Sequence, residues 1–400
     1  MQPQTLATYQ IQWHGAMADI DAAAWDRLAI PLTTPLMEWQ WLHQLEDSGS
    51  IAPPTGWIPC HLTVWRDRRL VAAAPLYVKT HSAGEFVFDQ VWAEVAQRLG
   101  STYYPKLVGM SPLTPVVGYR FLMDPGEDPN VLTRLMVGQI DERCRDLKLN
   151  SVSFLFVDPQ WGQMVQPLGF IAWLHQSYAW HNPGLKSLDA YLKLFKSNQR
   201  RNIHRERKSL ADNGIRFQAF AGDQIPRYLV PLMYRFYADT NARYGPWGCK
   251  YLNRRFFEGI FRHYAHRLLL MAGVQDGGSG DPLALSMLLK KGDGLIGRYW
   301  GAAVQMPNLH FNACFYAPIE WAISHGIRYF DPGAGSPHKI RRGFKAVGNH
   351  SLHRYYNRNL DLIVRSNMAA INRAEQAAID QLNHRLPFSE AVRRELFGQH

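Results

Sequence analysis

The sequence predicts two tandem α/β domains, each with a mixed, mainly antiparallel β-sheet flanked by helices. The chain has 400 residues, of which 46% are hydrophobic, and a single core rarely grows beyond about 250 residues. Each half of the chain also shows a hairpin, a strand, a helix and a further strand in the same order. We therefore expect domains at residues 1–180 and 181–362, followed by a helical appendage at 363–400.

The first half is predicted to alternate short helices with apolar strands. Helices are expected near residues 22–28, 37–46 and 130–147, and strands at 61–65, 70–79 and 151–157. The polar sequence Arg66-Asp67-Arg68-Arg69 separates two apolar runs, which is typical of a hairpin connection. The last strand is almost continuously apolar, so we expect it to be buried on both faces.

The second half is predicted to repeat this order. Strands are expected at residues 268–274, 282–289 and 295–303, a helix at 312–325, and an extended run at 327–330. Gly326 stops the helix, and the extended run leads into Asp331-Pro332-Gly333. The predicted appendage contains an amphipathic helix at residues 368–382.

Charge is distributed unequally between the two halves. Residues 1–180 contain 12 Lys/Arg and 17 Asp/Glu, which leaves 32 and 16 for residues 181–400 and a net charge of +16 there. Basic charge concentrated in one half favours a polyanionic partner, such as nucleic acid, an anionic membrane or a phosphorylated ligand. The alternative is that scattered surface lysines and arginines only keep the protein soluble.

The densest basic segment opens the second half. Residues 196–208 contain six Lys/Arg against one glutamate, and Ser197 is predicted to cap a helix there. Helical spacing places these basic side chains on two adjacent stripes: Arg201, Arg205 and Lys208 on one, and Arg200, His204 and Arg207 on the next. Ile203 and Leu210 form the apolar stripe. We expect Arg200, Arg201 and Arg205 to bind phosphates of a cofactor, although a solvated surface would show the same pattern.

A second polar constellation lies between residues 309 and 344. It runs from a helix and a strand into a loop rich in glycine, proline and basic residues. A loop projecting from a rigid sheet edge is a common position for binding or reactive groups. Gly333 and Gly335 either permit close approach of the backbone to a ligand or only let the chain turn.

Several classes of protein are not indicated by the sequence. No apolar run approaches the roughly 20 residues of a transmembrane segment, and residues 1–15 lack the pattern of a secretory signal; we therefore expect a cytoplasmic protein. The four cysteines are far apart, without a CxxC pair. The motifs GxSxG, GxGxxG, HExxH and Walker A do not occur, so we expect neither a serine nucleophile nor a metal.

Several segments resemble one family. The sequences SLDAYLKLFKSNQRRNIHRERKSLADNGI, WAISHGIRYFDPGAGSPHKIRRGF, HLTVWRDRRLVAAAPLYVKTHSAGEFVFD and YYPKLVGMSPLTPVVG are similar to the FemAB-like family of predicted N-acyltransferases, of the peptidoglycan biosynthesis/recognition type. The matches cover most of residues 35–355. The resemblance implies two GNAT-like (acyl-CoA N-acyltransferase) domains in a bacterial enzyme that transfers an acyl or aminoacyl group to an amine.

The resemblance also suggests site residues. The basic residue near the end of the family's final loop has matches in Lys339, Arg341 and Arg342. This chain reads Ile340-Arg341 where the peptidoglycan-bridging relatives commonly read Phe-Lys. The central strand, with Gly297, Arg298, Tyr299 and Trp300, would bind the donor and polarise its carbonyl through backbone N–H groups. The candidates for general base are Tyr316, Glu320, Asp331 and His338.

The sequence is compatible with three functions. The first is an N-acyltransferase that uses acyl-CoA or an acyl-carrier thioester and a small-molecule amine acceptor. The second is an aminoacyl-tRNA-dependent transferase that acts on a peptidoglycan precursor, with tRNA as a partner. The third is a non-catalytic protein that binds nucleic acid or a cell-wall precursor through the basic helix.

Overall fold

The structure is a computed structural model that describes residues 9–245, 248–277, 280–335, 337–389 and 392–394. It divides into two compact units: residues 9–175 with Asn349–Glu375, and Gln176–Gly348 with the chain from Gln376 onward. The sequence predicted that each domain is one continuous segment, with boundaries at 1–180, 181–362 and 363–400. In the structure, each unit instead consists of two separate segments of the chain. Residues 390, 391 and 395–400 of the expected appendage lie outside the described residues.

Within its described residues, the first segment of the first unit contains five α-helices and eight strands. The helices are α1 (Ala22–Ala29), α2 (Trp39–Asp47), α3 (Gln90–Arg98), α4 (Pro129–Asp146) and α5 (Pro159–Val165). The strands are β1 (Gln10–His14), β2 (Trp57–Pro59), β3 (His61–Arg66), β4 (Arg69–Ala74), β5 (Leu76–Lys79), β6 (Lys106–Gly109), β7 (Leu122–Met123) and β8 (Ser151–Phe154). The single strand expected at 70–79 is two strands, because Pro75 cannot donate a ladder hydrogen bond; β4 and β5 belong to different sheets.

The second unit follows the predicted order closely. Its helices are α6 (Leu188–Lys193), α7 (Ser197–Ala211), α8 (Leu229–Ala242), α9 (Arg254–His263), the short α10 (Leu309–Phe311) and α11 (Ala317–Ser324). Its strands are β9 (Ile171–His181, which begins in the first unit), β10 (Ile215–Ala221), β11 (Leu268–Gln275), β12 (Ala284–Lys291), β13 (Gly294–Ala302) and β14 (Tyr329–Asp331). They are ordered β10-β11-β12-β13-β14-β9, and the pairing of β13 with β14 is parallel.

The end of the chain connects the units covalently. Strand β15 (Lys345–Tyr355) leads from the second unit into the first, and helix α12 (Arg358–His384) leads back. Leu360, Val364 and Met368 of α12 join a buried cluster of the first unit. Near the other end of the helix, the Asn383 amide exchanges two 2.9 Å hydrogen bonds with the backbone of Ala346. The segment is therefore packed along its length, and the helix is longer than the expected 368–382.

Two helix starts differ from their predicted positions. The helix expected at 312–325 begins three residues earlier, because α10 continues through a π-helical turn at Asn312–Tyr316 into α11. Helix α7 starts at Ser197, and the cap position is Lys196, whose backbone N–H donates to the Pro387 carbonyl at 2.8 Å. Ser197 is therefore not the cap. Ile203 and Leu210 are buried, as the spacing predicts.

None of the helices in the described part of the chain combines the length and the apolar character that crossing a bilayer requires.

The first unit contains a fully buried ionic cluster. The Lys106 ammonium at the start of β6 donates to Glu85 at 2.7 Å and to Asp89 at 2.5 Å, and all three side chains are inaccessible to solvent. Burial alone would lower the pKa of Lys106, but the two carboxylates raise it above its ordinary value. Burial raises the pKa of Glu85 to about 7. The lysine thus keeps two carboxylates buried that would otherwise be costly to desolvate.

Replacing this lysine tests the cluster. Lys106→Met is expected to lower the free energy of unfolding by about 3–5 kcal/mol, because the two buried carboxylates lose the ammonium that both of them bind. Chemical denaturation of the variant and of the natural sequence measures the change in the free energy of unfolding. Lys193→Met is the matched control, since Lys193 is exposed, and surface changes stay within about 0.5 kcal/mol. A loss for Lys106→Met as small as that of the control would contradict the assignment.

Candidate active site

A cavity of about 200 Å³ lies where two parallel strands separate. Strands β13 and β14 pair only from Gly294 with Tyr329 to Ile296 with Asp331. Strand β14 ends there, whereas β13 continues to Ala302. On the side that β14 has left, the next residues of β13 line the cavity, and on the other side they remain paired with β12. The remaining walls are β12, residues 310–315 of the helix, and the loop 332–339.

An irregularity in β13 shapes the wall of this cavity. Met287 of β12 pairs with Tyr299, but the next residue, Leu288, pairs with Gly297, so Arg298 is an extra residue in β13. Such a bulge bends a strand and redirects its backbone groups. A Cβ atom on Gly333 would lie 3.0 Å from the carbonyl oxygen of Gly297. Gly333 has φ of +78°, so glycine serves both the close approach and the left-handed backbone conformation at this turn.

Lys339 is the buried cation of the cavity. It is 2% exposed, and its Nζ donates to the carbonyl oxygens of Gly333 at 2.6 Å and Ala334 at 2.8 Å. An ammonium group has three protons, so one remains for a ligand. Burial lowers the pKa of Lys339 to about 8, an effect that the nearby Asp331 carboxylate opposes.

Asp331 lies at the end of β14, behind the cavity wall. Its carboxylate accepts a 2.7 Å hydrogen bond from the backbone N–H of Gly333. Burial raises the pKa of Asp331 to about 6, although this hydrogen bond and the nearby Lys339 and Arg298 oppose the rise. Between pH 6 and pH 8 the structure therefore favours a carboxylate at Asp331 and an ammonium at Lys339.

Neutral aromatic rings form the opposite wall. The rings of Trp300 and His310 lie 4.4 Å apart, and the His310 ring lies 5.9 Å from that of His338. Burial and, to a smaller extent, the neighbouring cations Arg342 and Lys339 lower the pKa of each histidine to about 4. Both imidazoles are thus neutral near pH 7. Arg298 stacks on Tyr299, with its guanidinium carbon 4.8 Å from the ring centroid.

Three of the expected site residues serve to hold α7 in place and do not line the cavity. The Tyr316 hydroxyl donates to Glu206 of α7 at 2.6 Å, and the buried Arg342 donates to the same carboxylate at 2.9 Å. Arg342 also packs 3.4 Å from the centroid of the Phe311 ring. Burial raises the pKa of Tyr316 well above its ordinary range. Arg341 points to solvent, and its carbonyl oxygen accepts a 2.8 Å hydrogen bond from Gln199 of α7.

The basic helix α7 is a separate surface. Arg201 and Arg205 are exposed and Arg200 is half-buried, and none of the three lines the cavity. His204, Arg207 and Lys208 line a different, open groove of about 760 Å³. Arg207 pairs with Glu320 at 2.7 Å and Lys208 with Asp212 at 2.5 Å. The structure therefore brings together Gly297, Arg298, Tyr299, Trp300, His338 and Lys339, and leaves the basic helix outside that group.

Sequence reasoning missed several cavity residues. Ser286 and Phe315 face it, and so do His310 and Cys314, which lie four residues apart and thus on one helical face. The four-residue spacing of His310 and Cys314 was the feature of the sequence that could have indicated a shared position on one face of the helix. Burial raises the pKa of the Cys314 thiol, so it is held protonated. Across the described residues, no cluster of three or more histidine, cysteine or acidic side chains has the arrangement of a metal site.

The first unit repeats the strand arrangement without the cavity. Strands β6 and β8 are parallel, are separated in sequence by α4, and pair as far as Gly109 with Phe154. The space beyond is closed by Tyr119, whose hydroxyl would lie 2.1 Å from a Cβ atom on Gly109. Only about 10 Å³ remains there, about the size of one water molecule. The first unit therefore offers no room for a substrate at this position.

Comparisons with known proteins agree with this architecture. The FemAB-like family model, described as peptidoglycan biosynthesis/recognition, matches residues 16–390. FemX is similar over 89% of this chain and 99% of its own, with 13% identity and a TM-score of 0.54. L-PGS from Bacillus licheniformis is similar over 88% of this chain and 97% of its own, with 10% identity and a TM-score of 0.52.

A tandem GNAT protein from the clavulanic acid biosynthesis pathway matches 87% of this chain and 98% of its own, with 13% identity and a TM-score of 0.44. No curated protein matches the chain. The fold class predicted from the sequence, two tandem GNAT-like α/β domains with mixed, mainly antiparallel sheets, is confirmed by the family match, the similarity to FemX and the sheet topology.

The lowered pKa of Lys339 can be measured without knowing any substrate. Its amine is expected to react with acetic anhydride with a midpoint near pH 8, below the ordinary lysine value of about 10.4. Peptide mass spectrometry of the acetylated protein between pH 6 and pH 11 measures this midpoint. Asp331→Asn should move the Lys339 midpoint to lower pH, because the carboxylate that favours the ammonium is lost. An unchanged midpoint in that variant would rule out the coupling.

Proposed function

Because the chain belongs to the FemAB-like family and is a transferase, we propose that it is an N-acyltransferase whose active site is the cavity between β13 and β14. The donor is a thioester of CoA or of an acyl carrier, and the acceptor is a small-molecule amine. The observation that carries the proposal is the buried Lys339 ammonium, which lines the same cavity as the bulged segment of β13.

The chemistry of N-acyl transfer matches these groups. The amine nitrogen forms a bond to the acyl carbon, negative charge develops on the carbonyl oxygen, and the carbon–sulfur bond then breaks. The proton that leaves the nitrogen is taken up by the departing sulfur, which yields a thiol. An oxyanion in a partly enclosed site is stabilised most by donors fixed in advance. Lys339 is fixed by Gly333 and Ala334 and keeps one proton for that oxygen.

The direct route needs no covalent enzyme intermediate. Cys314 lines the cavity, but burial raises the pKa of its thiol, and a protonated thiol is a poor nucleophile. His310 and His338 have pKa values lowered to about 4, which makes them weak bases at pH 7. These groups therefore position the acyl carbonyl and exclude water, and the amine attacks the thioester itself.

A second candidate is transfer of an aminoacyl group from tRNA to a peptidoglycan precursor. The exposed Arg201 and Arg205 of α7 favour it, together with the net charge of +16 in residues 181–400. A protein that binds tRNA through many phosphates loses affinity steeply as salt increases. A non-catalytic role in binding nucleic acid or a cell-wall precursor is the third possibility. The cytoplasmic location expected from the sequence is part of the proposal, since each donor is a cytoplasmic compound.

The test is thiol release from thioester donors in the presence of a pool of primary amines. Lys339→Met is expected to reduce kcat by about 10²–10³-fold, because the cation that faces the oxyanion is removed. Lys193→Met is the control for the same chemical change at an exposed position and should retain the activity of the natural sequence. Circular dichroism and thermal melting establish that both variants are folded.

Other results would point elsewhere. Full activity of folded Lys339→Met would remove Lys339 from the mechanism. Product formation from aminoacyl-tRNA alone would establish the second candidate. Absence of transfer from every thioester and from aminoacyl-tRNA, with retained binding of RNA, would support the third.

A further inference from the structure

A second, larger groove adjoins the cavity. It has a volume of about 550 Å³ and shares Trp300 and His310 with the cavity, so these two rings form a common wall. Val304, Met306, Pro307 and Leu309 are the apolar residues that line the rest of it, together with Thr240, Arg243, Tyr244 and Gln305. We call this space the Val304 groove. Its apolar side chains are the kind that line sites for apolar ligands.

The fold holds this groove next to the reaction centre. Helix α8 packs directly on β13 at Gly301, where a Cβ atom would lie 2.1 Å from the carbonyl oxygen of Phe236. Only glycine permits this approach. The end of α8 thus lies beside Trp300, and Thr240 and Arg243 complete the groove. The groove and the cavity therefore adjoin each other at Trp300 and His310.

Charge restricts the ligand that this site accepts. The charged side chains that line the groove and the cavity are Arg243, Arg298 and Lys339, all of them basic. The Asp331 carboxylate behind the cavity wall offsets part of the charge of Lys339 and Arg298. A ligand ammonium in this partly desolvated site would still meet a net positive charge and would be repelled. An uncharged apolar chain avoids this cost and gains from burial against Val304, Met306 and Leu309. An aminoacyl group carries an ammonium, whereas an alkanoyl group does not.

We infer that the acyl group transferred by this protein is an uncharged apolar chain of medium length, which lies in the Val304 groove while its carbonyl lies in the cavity beside Lys339. This inference rests on the proposed N-acyl transfer and specifies its donor. The thioester end is common to CoA and to an acyl carrier, so either source presents the same chain to the groove.

Three thioesters of N-acetylcysteamine, which mimics that common end, separate the possibilities: acetyl, octanoyl and β-alanyl. With the amine pool as acceptor, kcat/KM for the octanoyl donor should exceed that for the acetyl donor by at least about tenfold. The reason is that each methylene buried in the groove adds favourable binding free energy. It should exceed that for the β-alanyl donor by a similar factor, because that donor carries an ammonium. Equal or greater values for the acetyl or β-alanyl donor would overturn the inference, yet N-acyl transfer would stand.

A variant that fills the groove tests the location of the chain. Val304 is 37% exposed, so Val304→Trp can be accommodated, and it should reduce the octanoyl-to-acetyl ratio of kcat/KM at least about fivefold by occupying the groove. Val131→Trp is the matched control at a 49% exposed valine in α4 and should leave that ratio unchanged. An unchanged ratio in Val304→Trp would overturn the inference, because the chain would then be bound elsewhere.

Binding provides a measurement that does not depend on turnover. The S-octyl thioether of N-acetylcysteamine should bind to the natural sequence at least about tenfold more tightly than the S-methyl thioether in calorimetry, and equal affinities would overturn the inference. Absence of transfer from all three donors, with the octyl thioether still preferred, would instead reject the proposed function and retain the apolar groove.

Discussion

The short parallel pairing of β13 with β14 is the constraint on which the rest of the second unit depends. Three residues of each strand pair, and β14 then ends at Asp331. Because β13 continues beyond β14 with only β12 as its neighbour, its bulged segment forms the wall of a cavity on the side that β14 has left. The loop after β14 closes the other side and brings Lys339 back to bind the Gly333 and Ala334 carbonyls. A longer pairing would leave no cavity at all.

The same strand arrangement has opposite outcomes in the two units. In the first unit, the Tyr119 side chain fills the space that opens beyond β6 and β8. The buried ionic cluster of Lys106, Glu85 and Asp89 further fixes that unit internally. In the second unit, Gly297 and Lys339 line an open cavity beyond the pairing of β13 with β14. The same strand arrangement thus forms a packed core in one unit and the wall of a cavity in the other.

The basic residues of the second unit divide into three groups with different roles. Arg342 is buried against Glu206 and holds α7 to the body. Lys339 is buried against backbone carbonyls and keeps a proton for a ligand. Arg201 and Arg205 stay exposed on the helix. All of these residues are simply basic in the sequence, so their roles cannot be distinguished there. Each role depends on a partner that comes from a distant segment of the chain.

The sequence by itself determined the order of elements, the two-unit architecture and the strand segment 297–300, because hydrophobic periodicity and turn residues act locally. It also identified Lys339 and His338 as site candidates. Only the tertiary structure decided that Tyr316 and Arg342 meet Glu206 more than 100 residues away, that His310 and Cys314 face the cavity, and that the chain returns to the first unit after Gly348. These are contacts between residues that are far apart in the sequence. A local sequence pattern does not indicate which distant side chain will be the partner.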